Sequence, residues 1–104
     1  MTNKQLLNKV RKAYEERKAE LLKDMHDYNY WELYMRYELC EWLETIVNEY
    51  ADSYEELINY LKGKNDPLEW LYAVMLDRED SLWDEVSDAM DYQMKWDKEH
   101  GYDK

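Results

Sequence analysis

The stretch "YWELYMRYELCEWLETIV", residues 30–47, decides the fold. It holds no glycine or proline, and its apolar residues recur at intervals of three and four rather than two, so it reads as helix. Trp31, Met35, Leu39, Trp42 and Ile46 line one side, while Tyr30, Tyr34 and Tyr37 line a neighbouring side. A helix apolar on more than one side is expected to be central. Asn29 with Glu32 marks its capped start and Tyr50 its approximate end. The tyrosines have two readings: a core margin whose hydroxyls reach water, or anchors for a partner, since Tyr and Trp bury large area with few rotors.

Working outward, the chain has two glycines and one proline in 104 residues, which leaves few breaks between helices. The expectation is an all-α fold, a compact bundle of about five helices forming a single domain over residues 1–104. Thr2 and Gln5 form a capping box, and Leu6, Val10, Tyr14, Leu21 and Met25 mark one face of a long first helix running to about residue 25. Ser53 with Glu56 predicts a short third helix, closed by a left-handed Gly63. Asp66, Pro67 and Glu69 supply a cap, a first-turn proline and a reciprocal acceptor for a fourth, whose buried face is Leu68, Leu71, Tyr72 and Met75. Ser81 with Asp84 starts the last helix after a break near Glu79 to Asp80, or else helices four and five run together. Gly101 ends it.

Formal charge is -11, unevenly spread. Up to Lys23 there are seven basic and three acidic residues, and from Asp24 onward seven basic and twenty-two acidic. The first helix is thus a basic arm on an acidic body, with Lys4, Arg11 and Lys18 on one side of it. That side packs against the acidic body of its own chain or a second copy, or engages an external anion. Long-range repulsion opposes direct binding to nucleic acid or anionic lipid and favours a basic partner.

Cys40, the only cysteine, sits between Leu39 and Trp42 as a packing thiol, which suits a reducing compartment. With no signal-peptide run and no long apolar stretch, the expectation is a soluble protein of the cytoplasm. Phosphate-loop, dinucleotide, zinc-protease and EF-hand signatures are absent, and His26 and His100 stand apart, His100 suiting a helix C-terminus. With no residue constellation for catalysis and little loop from which to form a pocket, we expect no enzyme, no cofactor and no metal.

What remains is charge. In "DREDSLWDEVSDAMD", residues 77–91, seven of fifteen side chains are carboxylates. On a helix Asp77, Asp80, Asp84, Asp88 and Asp91 share a sector of roughly 80°, opposite Leu82, Val86, Ala89 and Met90. Acids one turn apart lie about 5.4 Å apart along the axis, near the spacing of phosphates on a nucleic-acid strand. Glu69, Glu79, Glu85 and Asp97 extend the field. The plainer reading is a solvated face.

This acidic run and the aromatic run "DYNYWELYMRYELCEWLE" resemble the small acidic helical inhibitors of phages and mobile elements, including anti-CRISPR proteins and other nucleic-acid mimics. The segment "DSYEELINYLKGKNDPLEW" is similar to uncharacterised helical proteins of bacterial mobile elements. The resemblance implies a non-enzymatic inhibitor that blocks a basic nucleic-acid-binding surface of an effector, such as a CRISPR effector, in a bacterial host cell. Asp77, Asp80, Asp84, Glu85, Asp88 and Asp91 would meet its lysines and arginines, and Tyr30, Tyr34 and Tyr37 would anchor it. The basic first helix departs from a pure mimic. A dimerising structural or regulatory module and a toxin-neutralising immunity protein are the alternatives.

Overall fold

Thr2 starts the first helix by the expected device. Its Oγ1 accepts from Gln5 N at 3.1 Å while Gln5 Oε1 accepts from Thr2 N at 2.8 Å, so two donors at the helix start are satisfied reciprocally. The computed structural model describes residues 1–24, 26–77 and 86–101, with Asp77 described by its backbone alone. Those residues form helices α1 (Asn3–Leu21), α2 (Asp27–Glu49), α3 (Glu55–Lys62), α4 (Pro67–Asp77) and α5 (Val86–Glu99), an all-α bundle without strands among the described residues. The question whether α4 and α5 are one helix, and the Ser81–Asp84 start, lie outside them.

Leu6, Val10, Tyr14 and Leu21 form the buried face of α1, which ends at Leu21 rather than near residue 25. Met25 lies outside the described residues. The second helix begins earlier than Asn29, and its cap is His26, whose extended backbone accepts from the N–H groups of Asn29 and Tyr30. No side chain caps it, and Asp27 in the first turn complements the partial positive charge there. The expected Asn29–Glu32 box fails for a physical reason. Asn29 Nδ2 donates back to the carbonyl of Asp24, and the Glu32 carboxylate is held inside the bundle by arginines.

The third start also differs. Ser53 belongs to a turn, α3 opens at Glu55 with Tyr54 as an uncapped N-cap, and the Glu56 carboxylate accepts from Lys98 of α5 at 3.1 Å. Gly63 has φ −84° and is not left-handed; three-residue bonds from Gly63 N to Tyr60 O and from Lys64 N to Leu61 O close the helix instead. Gly101, at φ 76°, is the left-handed residue past the end of α5. The α4 start matches the reading in its cap and proline, with Asp66 Oδ1 accepting from Glu69 N at 3.1 Å ahead of Pro67, while the Glu69 carboxylate, expected as the reciprocal acceptor, meets Arg36 instead.

Helix α2 lies along α1 and on α4; α4 also meets α1 and α5, and α3 closes the bundle against α1 and α5. One contiguous apolar cluster runs through all five, with Leu6, Leu39, Leu43, Leu61, Leu68 and Leu71 fully buried near its middle. Met90 and Met94, also fully buried, fill it from α5. The core side of α2 is Met35, Leu39, Leu43 and Ile46; Trp31 is exposed and Trp42 only half-buried, against the expectation for both. Trp42 keeps its indole N–H at the margin, donating to Ser87 Oγ at 3.2 Å. Cys40 is buried, and burial pushes its thiol up to about 11, so it packs rather than reacts.

Part of the basic arm folds onto its own chain, Arg11 alone of Lys4, Arg11 and Lys18 forming ion pairs among the described residues. Arg11 Nη2 reaches Glu44 at 2.9 Å and Glu41 at 3.4 Å on α2, Arg17 reaches Glu32 at 2.6 Å, and Lys9 donates to the carbonyl of Lys64 at 2.9 Å. The Leu43→Ala variant removes a side chain with no exposed surface where α2 crosses the core. It is expected to destabilise the fold by roughly 2–5 kcal/mol in urea unfolding, with an unchanged denaturant slope.

Candidate partner-binding surface

At about 100° per residue, the solvent side of α2 carries Tyr30, Tyr34 and Tyr37 together with Asp27, Glu38 and Glu41, within a sector of roughly 100°. The three tyrosines are 58%, 57% and 43% exposed. They are therefore not a core margin with only hydroxyls in water; much of each ring is available. From Asp27 to Glu41 the strip is about 21 Å long at 1.5 Å per residue. Each tyrosine has a carboxylate one turn away, in the pairs Asp27 with Tyr30, Tyr34 with Glu38, and Tyr37 with Glu41.

The Tyr37 end is tied to the bundle. Its ring meets the buried Tyr14 edge-on at 5.9 Å, and the adjacent Glu41 carboxylate raises its phenol above the ordinary value. Beside the strip, Tyr28 and Trp31 lie 6.2 Å apart, and Trp31 rests 6.2 Å from the ring of Tyr72 on α4. Trp31 is thus a rim residue, lying between the solvent face and the core.

The strip is held at a fixed angle by charges on the other side of the same helix. Glu32 and Arg36 are only 4% and 5% exposed, in the sector otherwise occupied by Met35, Leu39 and Leu43. Arg36 Nε donates to Glu32 Oε2 at 2.8 Å and Nη2 to Glu69 Oε2 at 2.6 Å, while the guanidinium lies 4.2 Å from the Tyr72 ring. Arg17 donates to both oxygens of Glu32, at 2.6 and 3.2 Å, and to Glu20 at 2.9 Å. The chain Glu20, Arg17, Glu32, Arg36, Glu69 joins α1, α2 and α4. Burial opposes the charge on Glu32, but the hydrogen bonds from Arg17 and Arg36 outweigh it and hold the carboxyl below its usual value. Glu69, expected in the acidic field, is a member of this network.

Of the acidic run only part is described. Asp77 ends α4, and its side chain, like Asp80, Asp84, Glu85 and Glu79, lies outside what is described. Asp88 is exposed in the first turn of α5, and Asp91 is half-buried and paired with Lys95 at 2.8 Å. Asp97 does not extend the field. It is 6% exposed and accepts from Tyr60 Oη, Trp70 Nε1 and Gln93 Nε2, each at 2.8 Å, joining α3, α4 and α5. Burial works against its charge, and those donors together keep its carboxyl below the usual value. At the far end of α5, His100 stacks on Trp96 at 3.9 Å and its Nδ1 donates to the Trp96 carbonyl at 2.8 Å, the terminal role its position suggests.

Among the described residues no three His, Cys, Asp or Glu side chains converge as a metal site, and no helix is long and apolar enough to cross a membrane. No family model matches the chain, and neither a curated protein nor a solved structure does.

The carboxylates of Asp27 and Glu38 beside the tyrosines were missing from the sequence reading, although their three- and four-residue spacing from Tyr30 and Tyr34 was visible in it. Two predictions concern the buried charges. Arg36→Met leaves Glu32 and Glu69 without their shared partner and is expected to cost on the order of 3 kcal/mol in urea unfolding; adding Glu32→Leu recovers most of that loss. Because the folded Glu32 and Asp97 carboxyls titrate below their unfolded values, their contribution is present above the ordinary carboxylate range and is lost as pH falls through the folded values. Thermal unfolding should show a steep acid limb beginning near pH 4, and Glu32→Gln should flatten it.

Proposed function

We propose that the chain is a non-enzymatic protein-binding inhibitor that occupies a basic, nucleic-acid-binding surface of a bacterial defence effector, a CRISPR effector being the type case. The observation that carries the reading is the α2 strip, where Tyr30 and Tyr34 stand largely in solvent beside Asp27 and Glu38 on a chain of formal charge -11. Exposed apolar surface gathered on one face marks interaction sites, and Tyr is among the residues that dominate binding energy at interfaces. The surrounding acids give the encounter its direction toward a cationic partner. Asp88 and Asp91 on α5 add to the field, Asp91 more weakly because Lys95 sits on it.

On this reading the partner is a protein, neither nucleic acid nor membrane being attracted by so acidic a chain, and the action takes place in the bacterial cytoplasm. A dimer built by laying the basic arm across a second copy has less to work with, since Arg11 and Arg17 are already paired within the chain.

The test begins with the immobilised protein in a bacterial lysate and elution by salt. The eluted partner is expected to bind nucleic acid, and the intact chain to displace that nucleic acid in a mobility-shift competition. Tyr30→Ala with Tyr34→Ala should raise the concentration needed by at least about tenfold while leaving helicity unchanged. A partner that keeps its nucleic acid when saturated with the inhibitor would falsify the proposal.

A further inference from the structure

Each tyrosine–carboxylate pair on α2 spans one helical turn, the acid preceding the ring in Asp27–Tyr30 and following it in Tyr34–Glu38 and Tyr37–Glu41, and the chain itself shows what the acid of one of them takes. The acid of the third pair is taken by Arg11 of α1, whose Nη2 contacts Glu41 at 3.4 Å and Glu44 at 2.9 Å. Inside the bundle an arginine takes a ring and acids together, Arg36 lying 4.2 Å from the Tyr72 ring with Glu32 at 2.8 Å and Glu69 at 2.6 Å. Arg11, Arg17 and Arg36 each engage two carboxylates, whereas Lys95 and Lys98 each engage one. Lysines do approach rings here, Lys64 and Lys98 over Tyr60 at 4.6 and 5.7 Å, but as point charges farther from the ring than the guanidinium of Arg36.

Physical chemistry separates the two cations. A guanidinium is flat, weakly hydrated and forked, so it lies on an aromatic face while donating to an acid at the edge; an ammonium is compact and holds its water. Among the described residues Asp27 and Glu38 take part in no ion pair. We infer that the Asp27–Tyr30 and Tyr34–Glu38 pairs each receive an arginine of the partner, so that the strip reads arginine in preference to lysine. The inference rests on the proposal that the partner surface is basic and adds which basic side chain is recognised.

Two probes of equal length and charge make the test: a short alanine-based helical peptide carrying arginines, and the same peptide with every arginine replaced by lysine. Each is titrated into the intact protein, and binding is followed by amide shifts in two-dimensional NMR. The arginine peptide is expected to bind on the order of tenfold more tightly, with shifts centred on residues 27–38 and a preference that widens as salt is raised. Tyr30→Leu with Tyr34→Leu should abolish the preference and leave the lysine peptide's affinity unchanged, while Asp27→Asn with Glu38→Gln should weaken both peptides. Equal affinities, or shifts located away from α2, overturn the inference and leave the basic-partner proposal standing. Binding of neither peptide overturns it as well, and the displacement experiment then decides the broader proposal separately.

Discussion

Arg36 projects from α2 into the side that packs on α1 and α4, where a charge without partners would carry a desolvation penalty of several kcal/mol. Its satisfaction requires two helices at once: Glu32 from its own turn of α2, Glu69 from the start of α4, and the ring of Tyr72 one turn further along α4. Arg17 of α1 then completes the coordination of Glu32. An apolar contact tolerates sliding by a fraction of a turn, but a forked guanidinium between two carboxylates does not. The rotation of α2 about its axis is thereby fixed, and so is the direction in which its other side points.

That second consequence matters for the surface. Because the charges of α2 occupy part of its inner side, its tyrosines on the outer side are not drawn inward by any vacancy. Tyr14 holds Tyr37 at one end and the Tyr28, Trp31, Tyr72 series flanks the other, leaving Tyr30 and Tyr34 between two braced regions. A binding strip on a helix whose rotation is fixed loses little further conformational freedom on association, and that loss is one of the main terms opposing affinity.

Much of this was legible in the sequence. Helical spacing placed Leu6, Val10, Tyr14 and Leu21 on one side of α1, and the Thr2–Gln5 and Asp66–Pro67 signals start helices where they stand. The Asn29–Glu32 and Ser53–Glu56 signals did not, because a capping signal assumes its acid is free to cap. Glu32 instead meets Arg17 and Arg36, and Glu56 meets Lys98, partners that only the tertiary fold brings near. Asp97 is a different case: it falls in register with Val86, Met90 and Met94, so spacing alone puts it on the core side, and its acidity misdirected the reading outward. The exposure of Tyr30, Tyr34 and Tyr37 could not be read, since an aromatic with a hydroxyl suits a core margin and an interface equally.

The engagement of acids within the chain bears on how such a surface would work. Attraction from the net charge of -11 fades over about 8 Å at physiological salt, so it accelerates encounter and selects the sign of the partner but does little to hold a complex together. Several carboxylates are already engaged within the chain, Glu32, Glu44, Glu69 and Asp97 among them, and add little local attraction. Residence must then come from contacts that salt screens poorly, and on α2 those are the aromatic rings with an acid at their edge. A surface of acids alone would imitate the charge of a nucleic acid yet release its partner readily, whereas rings interleaved with acids also offer the flat apolar faces that bases present to a nucleic-acid-binding groove.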